Sequence, residues 1–169
     1  MLGCFVSGHV RLGCNGIRYA IYYGVNDAQQ GDLLTSGDFY LHPRLAADTA
    51  FVADWTLSRV MLMNDARYPW LILVPRRGGA TELFDLAAPD RATLIEEISR
   101  ASQALKELSP PAKINIGALG NLVPQFHVHV VARSQSDAAW PGPVWGQGVA
   151  EPYEPGRLDA LAALVRTKS

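Results

Sequence analysis

The sequence predicts an α+β domain whose sheet is antiparallel. Two short apolar runs, at residues 58–64 and 69–75, lie on either side of a turn and are typical of neighbouring antiparallel strands. A single long amphipathic helix follows them, and after it comes a second pair of strand-like segments. Strands grouped around one helix favour this class over the alternating strands and helices of a parallel sheet.

The domain is predicted to begin near Gly37, where the composition changes. Residues 1–36 are rich in glycine and carry no recognisable motif, so we expect a weakly ordered N-terminal extension there. Residues 37–169 are expected to form one domain with a C-terminal tail, because a chain of 169 residues fits a single hydrophobic core.

The long helix is predicted over residues 90–108. Its apolar residues recur at steps of three and four, which places them on one side of a helix; they are Leu94, Ile98, Ala101, Leu105 and Leu108. Pro89 and Asp90 suit a first helical turn, and the pair Pro110 and Pro111 ends the pattern.

The second half of the chain predicts a hairpin followed by a tail. A strand at residues 113–117, a turn at 118–124 and a return strand at 125–133 follow one another. Proline and glycine interrupt residues 140–146, so we expect an ordered loop there, and residues 157–165 are expected to form a short final helix.

Composition and charge argue against several classes of function. A net charge of −1 and a pI near 6.4 provide no basic surface for nucleic acid or for an acidic membrane. Cys4 and Cys14 are the only cysteines, so no disulfide framework holds the body of the chain, as is usual in a reducing compartment. No apolar run approaches the roughly twenty residues of a membrane span. We therefore expect a cytoplasmic protein.

The most informative segment is the return strand, which reads Gln-Phe-His-Val-His-Val-Val-Ala-Arg. Because side chains alternate along a strand, Gln125, His127 and His129 are predicted to share one face. An imidazole whose second nitrogen is fixed by an acceptor, such as a backbone carbonyl, can be a nucleophile. A second imidazole can donate to a phosphoryl oxygen or to a leaving group. The pair suits attack at phosphorus, with His127 as nucleophile, His129 in support and Gln125 orienting the two rings.

Two other interpretations of this segment remain open. His-x-His on a strand is a common pair of metal ligands, although no Cys, Glu or Asp stands within several residues of the pair. The three polar side chains also fit an ordinary solvated face of a sheet.

The segment resembles the signature of the histidine triad (HIT) superfamily, in which His, apolar, His, apolar, His is followed by two apolar residues. The resemblance includes Asn115-Ile116-Gly117 and continues from Gly120 to Arg133. Residues 71–77, Leu-Ile-Leu-Val-Pro-Arg-Arg, resemble the family's apolar strand that ends in proline and a basic residue. The match covers about residues 38–133.

This resemblance implies an antiparallel sheet of about five strands, a homodimer and a bound nucleotide. The family's enzymes are nucleotide hydrolases or transferases whose middle His attacks the α-phosphate and forms a nucleotidyl-histidine intermediate. By resemblance the middle His is His127 and the third is His129. Asp65 matches the acidic residue that holds the ribose hydroxyls, and Asn115 and Asn121 match polar positions that approach the phosphates.

Three positions depart from the family pattern. The first His of the triad is Gln125, which forms hydrogen bonds but carries no proton or charge. Leu122 stands where a small hydroxyl residue is usual, which removes a proton donor to the leaving group. Trp70 replaces the His that usually precedes the apolar strand. These changes suit a divergent branch with an altered rate or substrate, or a protein that binds nucleotide with little turnover.

The remaining candidate substrate contacts each have an ordinary structural alternative. Asn64 and Asp65 are adjacent, and Asp beside Asn favours turns. Arg76 suits a phosphate because a guanidinium binds oxyanions with two parallel hydrogen bonds, but a surface arginine is commonly just solvated. Trp70 is able to stack on a base and equally suits an aromatic core.

The sequence as a whole predicts a nucleotide hydrolase or nucleotidyl transferase. The expected substrates are of the dinucleoside polyphosphate or nucleoside phosphoramidate type, and the expected partners are this nucleotide and a second copy of the chain. No cofactor or metal is expected in the protein, although Mg²⁺ can accompany a polyphosphate substrate.

Overall fold

A computed structural model describes residues 39–168. Within this part of the chain, the elements are α1 (Pro43–Asp48), β1 (Thr49–Asp54), β2 (Ser58–Met63), β3 (Trp70–Pro75), α2 (Ala88–Leu108), β4 (Lys113–Gly117), β5 (Val128–Arg133) and α3 (Arg157–Lys168). A single 3₁₀ turn, Leu83–Asp85, lies between β3 and α2. The predicted N-terminal extension, residues 1–36, lies outside the described residues.

The strands form one five-stranded sheet in the order β1-β2-β3-β5-β4, and every neighbouring pair is antiparallel. The predicted pairing of β2 with β3 and of β4 with β5 is confirmed. β5 lies between β3 and β4, where Ile72 and Gly117 are the partners of His129. The prediction of an α+β fold with an antiparallel sheet of about five strands is thus confirmed.

β3 and β5 are buried along their whole length, because both lie inside the sheet and both of its faces are covered. Their side chains alternate between two apolar layers. Leu71, Leu73 and Val130 join the layer that contains the buried residues of α2 and α3. Ile72 and Val131 join the opposite layer. His129 precedes Val130 and therefore points away from α2 and α3.

The two longer helices agree with the sequence prediction within a few residues. α2 begins at Ala88, ends at Leu108 as predicted, and buries its apolar stripe against the sheet. The buried carboxylate of Glu97 accepts hydrogen bonds from the backbone N–H groups of Leu57 (2.7 Å) and Ser58 (3.0 Å), which fastens α2 to the turn before β2. α3 ends at Lys168, three residues beyond the predicted Val165. No helix within residues 39–168 is long and apolar enough to cross a bilayer.

Two elements were not predicted from the residues. α1 has six residues, too few for a periodic apolar stripe to be recognised. β1 contains an irregularity between Phe51 and Ala53 that interrupts its alternation of buried and exposed side chains. Each element therefore lacks the local pattern on which a sequence prediction depends.

The predicted start of the return strand is wrong. β5 begins at Val128 rather than at Gln125. The backbone N–H of Phe126 donates to the carbonyl of Ala80 (2.9 Å), outside the strand pairing, and Pro124 has no N–H to donate. Residues 125–127 thus lie outside the strand, and Gln125 is not part of a ladder of side chains on it.

A buried ion pair holds the segment that leaves β5. The side chains of Arg133 and Asp137 are 1% and 4% exposed. Arg133 donates two hydrogen bonds to the carboxylate of Asp137 (2.8 and 2.9 Å) and a third to Oδ1 of Asn115 on β4 (2.6 Å). The guanidinium therefore ties β4, β5 and the following loop together.

Replacing Asp137 with alanine is expected to lower the free energy of unfolding by about 3–5 kcal/mol, because a buried guanidinium loses its counter-charge. Urea titration measures the change. Glu107→Ala is the matched control, since it removes an exposed pair with Lys168 (3.5 Å) and should cost less than about 1 kcal/mol. Equal losses in the two variants would show that burial adds nothing to the Arg133 pair.

Candidate active site

A cleft of about 460 Å³ opens on the face of the sheet that points away from α2 and α3. Its lining includes Trp70 and Ile72 from β3 and His129 from β5. Other parts of the lining come from α1, from the loop between β4 and β5, and from residues 144–150 after β5. The volume is within the range of roughly 300–1,000 Å³ that is usual for small-molecule sites.

The two histidines lie side by side in this cleft. Their ring centroids are 4.8 Å apart and the rings are inclined by 79°. Both side chains are largely buried, with 6% of His127 and 9% of His129 exposed. An imidazole pair in contact with the same small cleft is the strongest chemical feature of the described residues.

The tautomer of His127 follows from its hydrogen bond. Nδ1 of His127 lies 2.7 Å from the backbone carbonyl oxygen of Gln125. A carbonyl oxygen only accepts, so Nδ1 carries the ring proton and Nε2 of the neutral ring holds a free lone pair. This is the arrangement that a nucleophilic imidazole requires.

His129 is held among aromatic rings. Trp70 Nε1 lies 3.0 Å from Nδ1 of His129, and the indole rings of Trp70 and Trp145 have centroids 5.3 and 6.0 Å from its ring. Burial lowers the pKa of His129 to about 3, and the neighbouring His127 contributes to this lowering. His129 is therefore neutral at physiological pH.

The side chain of Gln125 has a different position from the one predicted. Its Oε1 accepts from the backbone N–H of His42 and its Nε2 donates to the carbonyl of Tyr40, both at 2.9 Å. These bonds fasten the segment that precedes α1. The backbone carbonyl of Gln125, and not its side chain, is the group that contacts His127.

Asp65 lies in the wall of the cleft, but both of its carboxylate oxygens are engaged. Arg67 donates to them from Nε (2.8 Å) and Nη2 (2.6 Å), and the backbone N–H of Glu151 donates at 3.3 Å. Burial alone would raise the pKa of Asp65, but these hydrogen bonds lower it overall. Because Arg67 also donates to the carbonyl of Gln147 (3.0 Å), this ion pair fastens the C-terminal segment against the cleft.

Of four other residues that were predicted to contact the substrate, one lines the cleft and three do not. Asn121 lines the cleft. Asn64 accepts from the backbone N–H of Tyr153 (2.9 Å), Asn115 accepts from Arg133, and Arg76 donates to the carbonyl of Trp55 (2.6 Å). These last three are absent from the lining of the cleft. Their side chains connect separate segments of the fold, so their predicted contacts with substrate receive no support from the geometry.

Trp145 is a cleft residue that the sequence analysis did not propose. It belongs to the Trp- and Pro-rich segment 140–146, and a Cβ at Gly117 would lie only 2.8 Å from its ring. Glycine at position 117 thus lets the indole lie against β4. The available signal was two tryptophans within seven residues that proline and glycine interrupt. Arg67 was also missed, although its spacing from Asp65 allows a local ion pair.

Within residues 39–168, no three His, Cys, Asp or Glu side chains are grouped as a metal site would require. His9, a further histidine of the sequence, lies outside the described residues.

Comparisons with known proteins agree with the fold. The HIT domain family model matches residues 44–136. A histidine triad protein from Bradyrhizobium japonicum is 48% identical with a TM-score of 0.74, over 77% of this chain and 97% of that one. For histidine triad proteins from Sinorhizobium meliloti and Marinobacter aquaeolei, the identities are 45% and 43%, and both TM-scores are 0.75. Each covers 78% of this chain, and the matches span 97% and 96% of those chains. A comparison with curated proteins gave no match.

The burial of His129 makes the stability of the fold depend on pH. As pH falls below the ordinary value of 6.5, the unfolded chain takes up a proton on this ring, whereas the folded chain does not until about pH 3. The free energy of unfolding should therefore fall by about 1.4 kcal/mol per pH unit across this window.

His129→Gln is the matched control for this prediction, because glutamine is polar and does not titrate. Urea titrations at pH 6 and pH 4.5 should show that the wild type loses about 2 kcal/mol more than the variant. Parallel losses in the two proteins would mean that His129 takes up its proton at an ordinary pH in the folded state.

Proposed function

This chain belongs to the HIT domain family, and from that membership we propose that it binds a nucleotide and hydrolyses or transfers its nucleotidyl group. The observation that carries the proposal is the free Nε2 of His127 in the cleft, opposite an Nδ1–H that donates to the carbonyl of Gln125. Substrates of the dinucleoside polyphosphate or nucleoside phosphoramidate type fit this chemistry.

In the proposed reaction, the Nε2 lone pair of His127 attacks the α-phosphorus. The bond from phosphorus to the leaving group breaks, and the leaving group departs with the electron pair and takes up a proton from solvent. Water then attacks the same phosphorus and breaks the phosphorus–nitrogen bond. The products are a nucleoside monophosphate, a released proton and neutral His127. If another acceptor replaces water, the nucleotidyl group is transferred.

Two side chains of the cleft are suited to stabilise the phosphoryl oxygens in this reaction. Asn121 and His129 are the predicted phosphate contacts that line the cleft beside His127. Since His129 stays neutral, it serves as a hydrogen-bonding group and not as a proton source. We keep Asp65 as the ribose contact, acting together with Arg67, which shares its carboxylate.

The proposal also includes a homodimer in the cytoplasm, and it requires no metal on the protein. Sedimentation of the purified chain tests the dimer. Elemental analysis of protein prepared without an affinity tag tests the metal alternative, in which His127 and His129 are ligands; a stoichiometric transition metal would favour that alternative.

A nucleotide-binding protein with little turnover is the second candidate function. It is favoured by the side chain of Gln125, which bonds to the backbone of Tyr40 and His42. It is also favoured by Leu122, which offers no proton to a leaving group and is 75% exposed at the cleft. Rapid quenching of a reaction with labelled substrate separates the two candidates, because only the enzyme accumulates a covalent nucleotidyl adduct on the chain.

Replacing His127 with alanine should lower turnover by at least about a thousandfold, because the variant lacks the nucleophile. Nucleotide affinity, measured by calorimetry, should change by less than about tenfold, and the circular dichroism spectrum should be unaltered. Turnover close to that of the wild type would contradict the mechanism.

The absence of a proton donor at Leu122 should make the enzyme sensitive to its leaving group. The value of kcat/KM for phosphoramidates should be higher with aryl amines than with alkyl amines, which need protonation to depart. Leu122→Ser should narrow this ratio by on the order of tenfold, since a hydroxyl supplies a donor.

Leu164→Ser is the control for this prediction, because Leu164 is an exposed leucine of α3 that does not line the cleft. It should leave the ratio between the two classes of amine unchanged. A wild-type preference for alkyl amines would show that the leaving group receives a proton from another group.

A further inference from the structure

The indole of Trp70 makes a hydrogen bond that the proposed mechanism has not used. Trp70 Nε1 and His129 Nδ1 are 3.0 Å apart, and both side chains are more than nine-tenths buried. The two residues come from adjacent strands, where the partner of Trp70 is Val131 and the partner of His129 is Ile72.

The chemistry of the two groups decides where the proton of His129 lies. The indole nitrogen is a donor only, so the nitrogen that it contacts must be an acceptor. A neutral imidazole has one proton for two nitrogens, and Nδ1 is the one without it. The proton of His129 is therefore on Nε2.

We propose that Trp70 is a positioning residue that holds His129 in the Nε2–H tautomer, so that His129 presents a hydrogen-bond donor to the substrate. The role in turnover rests on the proposed function, but the tautomer itself does not. The two neighbouring histidines then have opposite tautomers, since His127 has its proton on Nδ1. One ring offers a lone pair to phosphorus and the other offers a donor to a phosphoryl oxygen.

The surroundings of Trp70 keep its indole in the required orientation. Tyr68 and Trp145 contact it edge to face, with ring centroids 6.4 and 6.5 Å away. The same lone pair that accepts from Trp70 is where a second proton on His129 would have to bind. The low pKa of about 3 that burial gives to His129 keeps the ring neutral, so that it carries a single proton.

The Nε2–H tautomer of His129 also disfavours metal binding by His127 and His129. A metal binds imidazole through a nitrogen that carries no proton, and Nε2 of His129 carries one. Binding there would require Nδ1 to take the proton and Trp70 to lose its acceptor, which leaves a buried indole N–H without a partner.

The wild-type protein tests the proposal without any substitution. In the full chain labelled with ¹⁵N, the ring nitrogens of His129 should give one protonated signal at Nε2 and one unprotonated signal at Nδ1 at neutral pH. A scalar coupling between Trp70 Nε1 and His129 Nδ1 should be detected across the hydrogen bond. A protonated Nδ1 would overturn the proposal.

Trp70→Phe removes the donor and keeps an aromatic ring. In this variant the signals of His129 should move towards the average of two tautomers, and kcat should fall by about fivefold, as expected for one hydrogen bond, with little change in KM. Trp145→Phe is the matched control for the tautomer. Its indole also contacts His129, but its Nε1 has no hydrogen-bond partner among the described residues, so the signals of His129 should be unchanged.

The outcomes separate this inference from the proposed function. If Trp70→Phe leaves His129 in the wild-type tautomer, the inference is wrong whatever happens to the activity. If the tautomer shifts but the wild type hydrolyses no nucleotide, the hydrogen bond stands as inferred and the proposed function fails. If the tautomer shifts and kcat does not change, Trp70 is not a positioning residue for the reaction.

Discussion

The chemistry of the cleft depends on one hydrogen bond, the one between Nδ1 of His127 and the carbonyl of Gln125. In a regular strand this carbonyl would lie in the plane of the sheet and pair with a neighbouring strand. Here the chain departs from the strand before Val128, and the carbonyl of Gln125 is free to accept from the imidazole of His127. The departure is held by the bond from Phe126 to Ala80 and by the amide of Gln125. The side chain of Gln125 thus stabilises the turn whose carbonyl orients the ring of His127.

The sequence predicted those parts of the fold that have a regular local pattern. The stripe of α2 repeats with the period of a helix, and β2 and β3 are short apolar runs with turn residues between them, so each could be recognised without its neighbours. β1 has a bulge, α1 has only six residues, and neither has such a local pattern. The fold class and the pairing of the strands were predictable, whereas α1, which lines part of the cleft, was not.

The sequence predicted that His127 and His129 lie together, because a spacing of two residues puts both side chains on one side of an extended segment, although β5 itself begins at Val128. The positions of the other polar side chains are determined by hydrogen-bond partners that are distant in the sequence. Asn64 bonds to Tyr153, 89 positions away, and the side chain of Gln125 bonds to Tyr40, 85 positions away. Each amide bonds to a backbone group of a distant segment, and no spacing along the chain indicates such a partner.

In the proposed mechanism, the charges of the other side chains in the cleft explain why His127 becomes cationic while His129 stays neutral. Among the described residues that line it, Arg67 is paired with Asp65 and Arg44 with Asp48, so these side chains leave little net charge for a phosphate. In the proposed mechanism a positive charge appears on His127 only when its Nε2 bonds to phosphorus, and the carbonyl of Gln125 stabilises it through Nδ1–H. The charge therefore grows as the reaction proceeds, which favours the transition state over the bound substrate.

A second positive charge 4.8 Å away would oppose this step, because two cations in a buried site repel each other strongly. Burial and the neighbouring ring keep His129 neutral, and the indole of Trp70 occupies the nitrogen that would otherwise take the proton. In the proposed mechanism, a neutral His129 avoids this repulsion and still offers a hydrogen bond to a phosphoryl oxygen. The aromatic surroundings of His129 are therefore a condition for the proposed attack by His127.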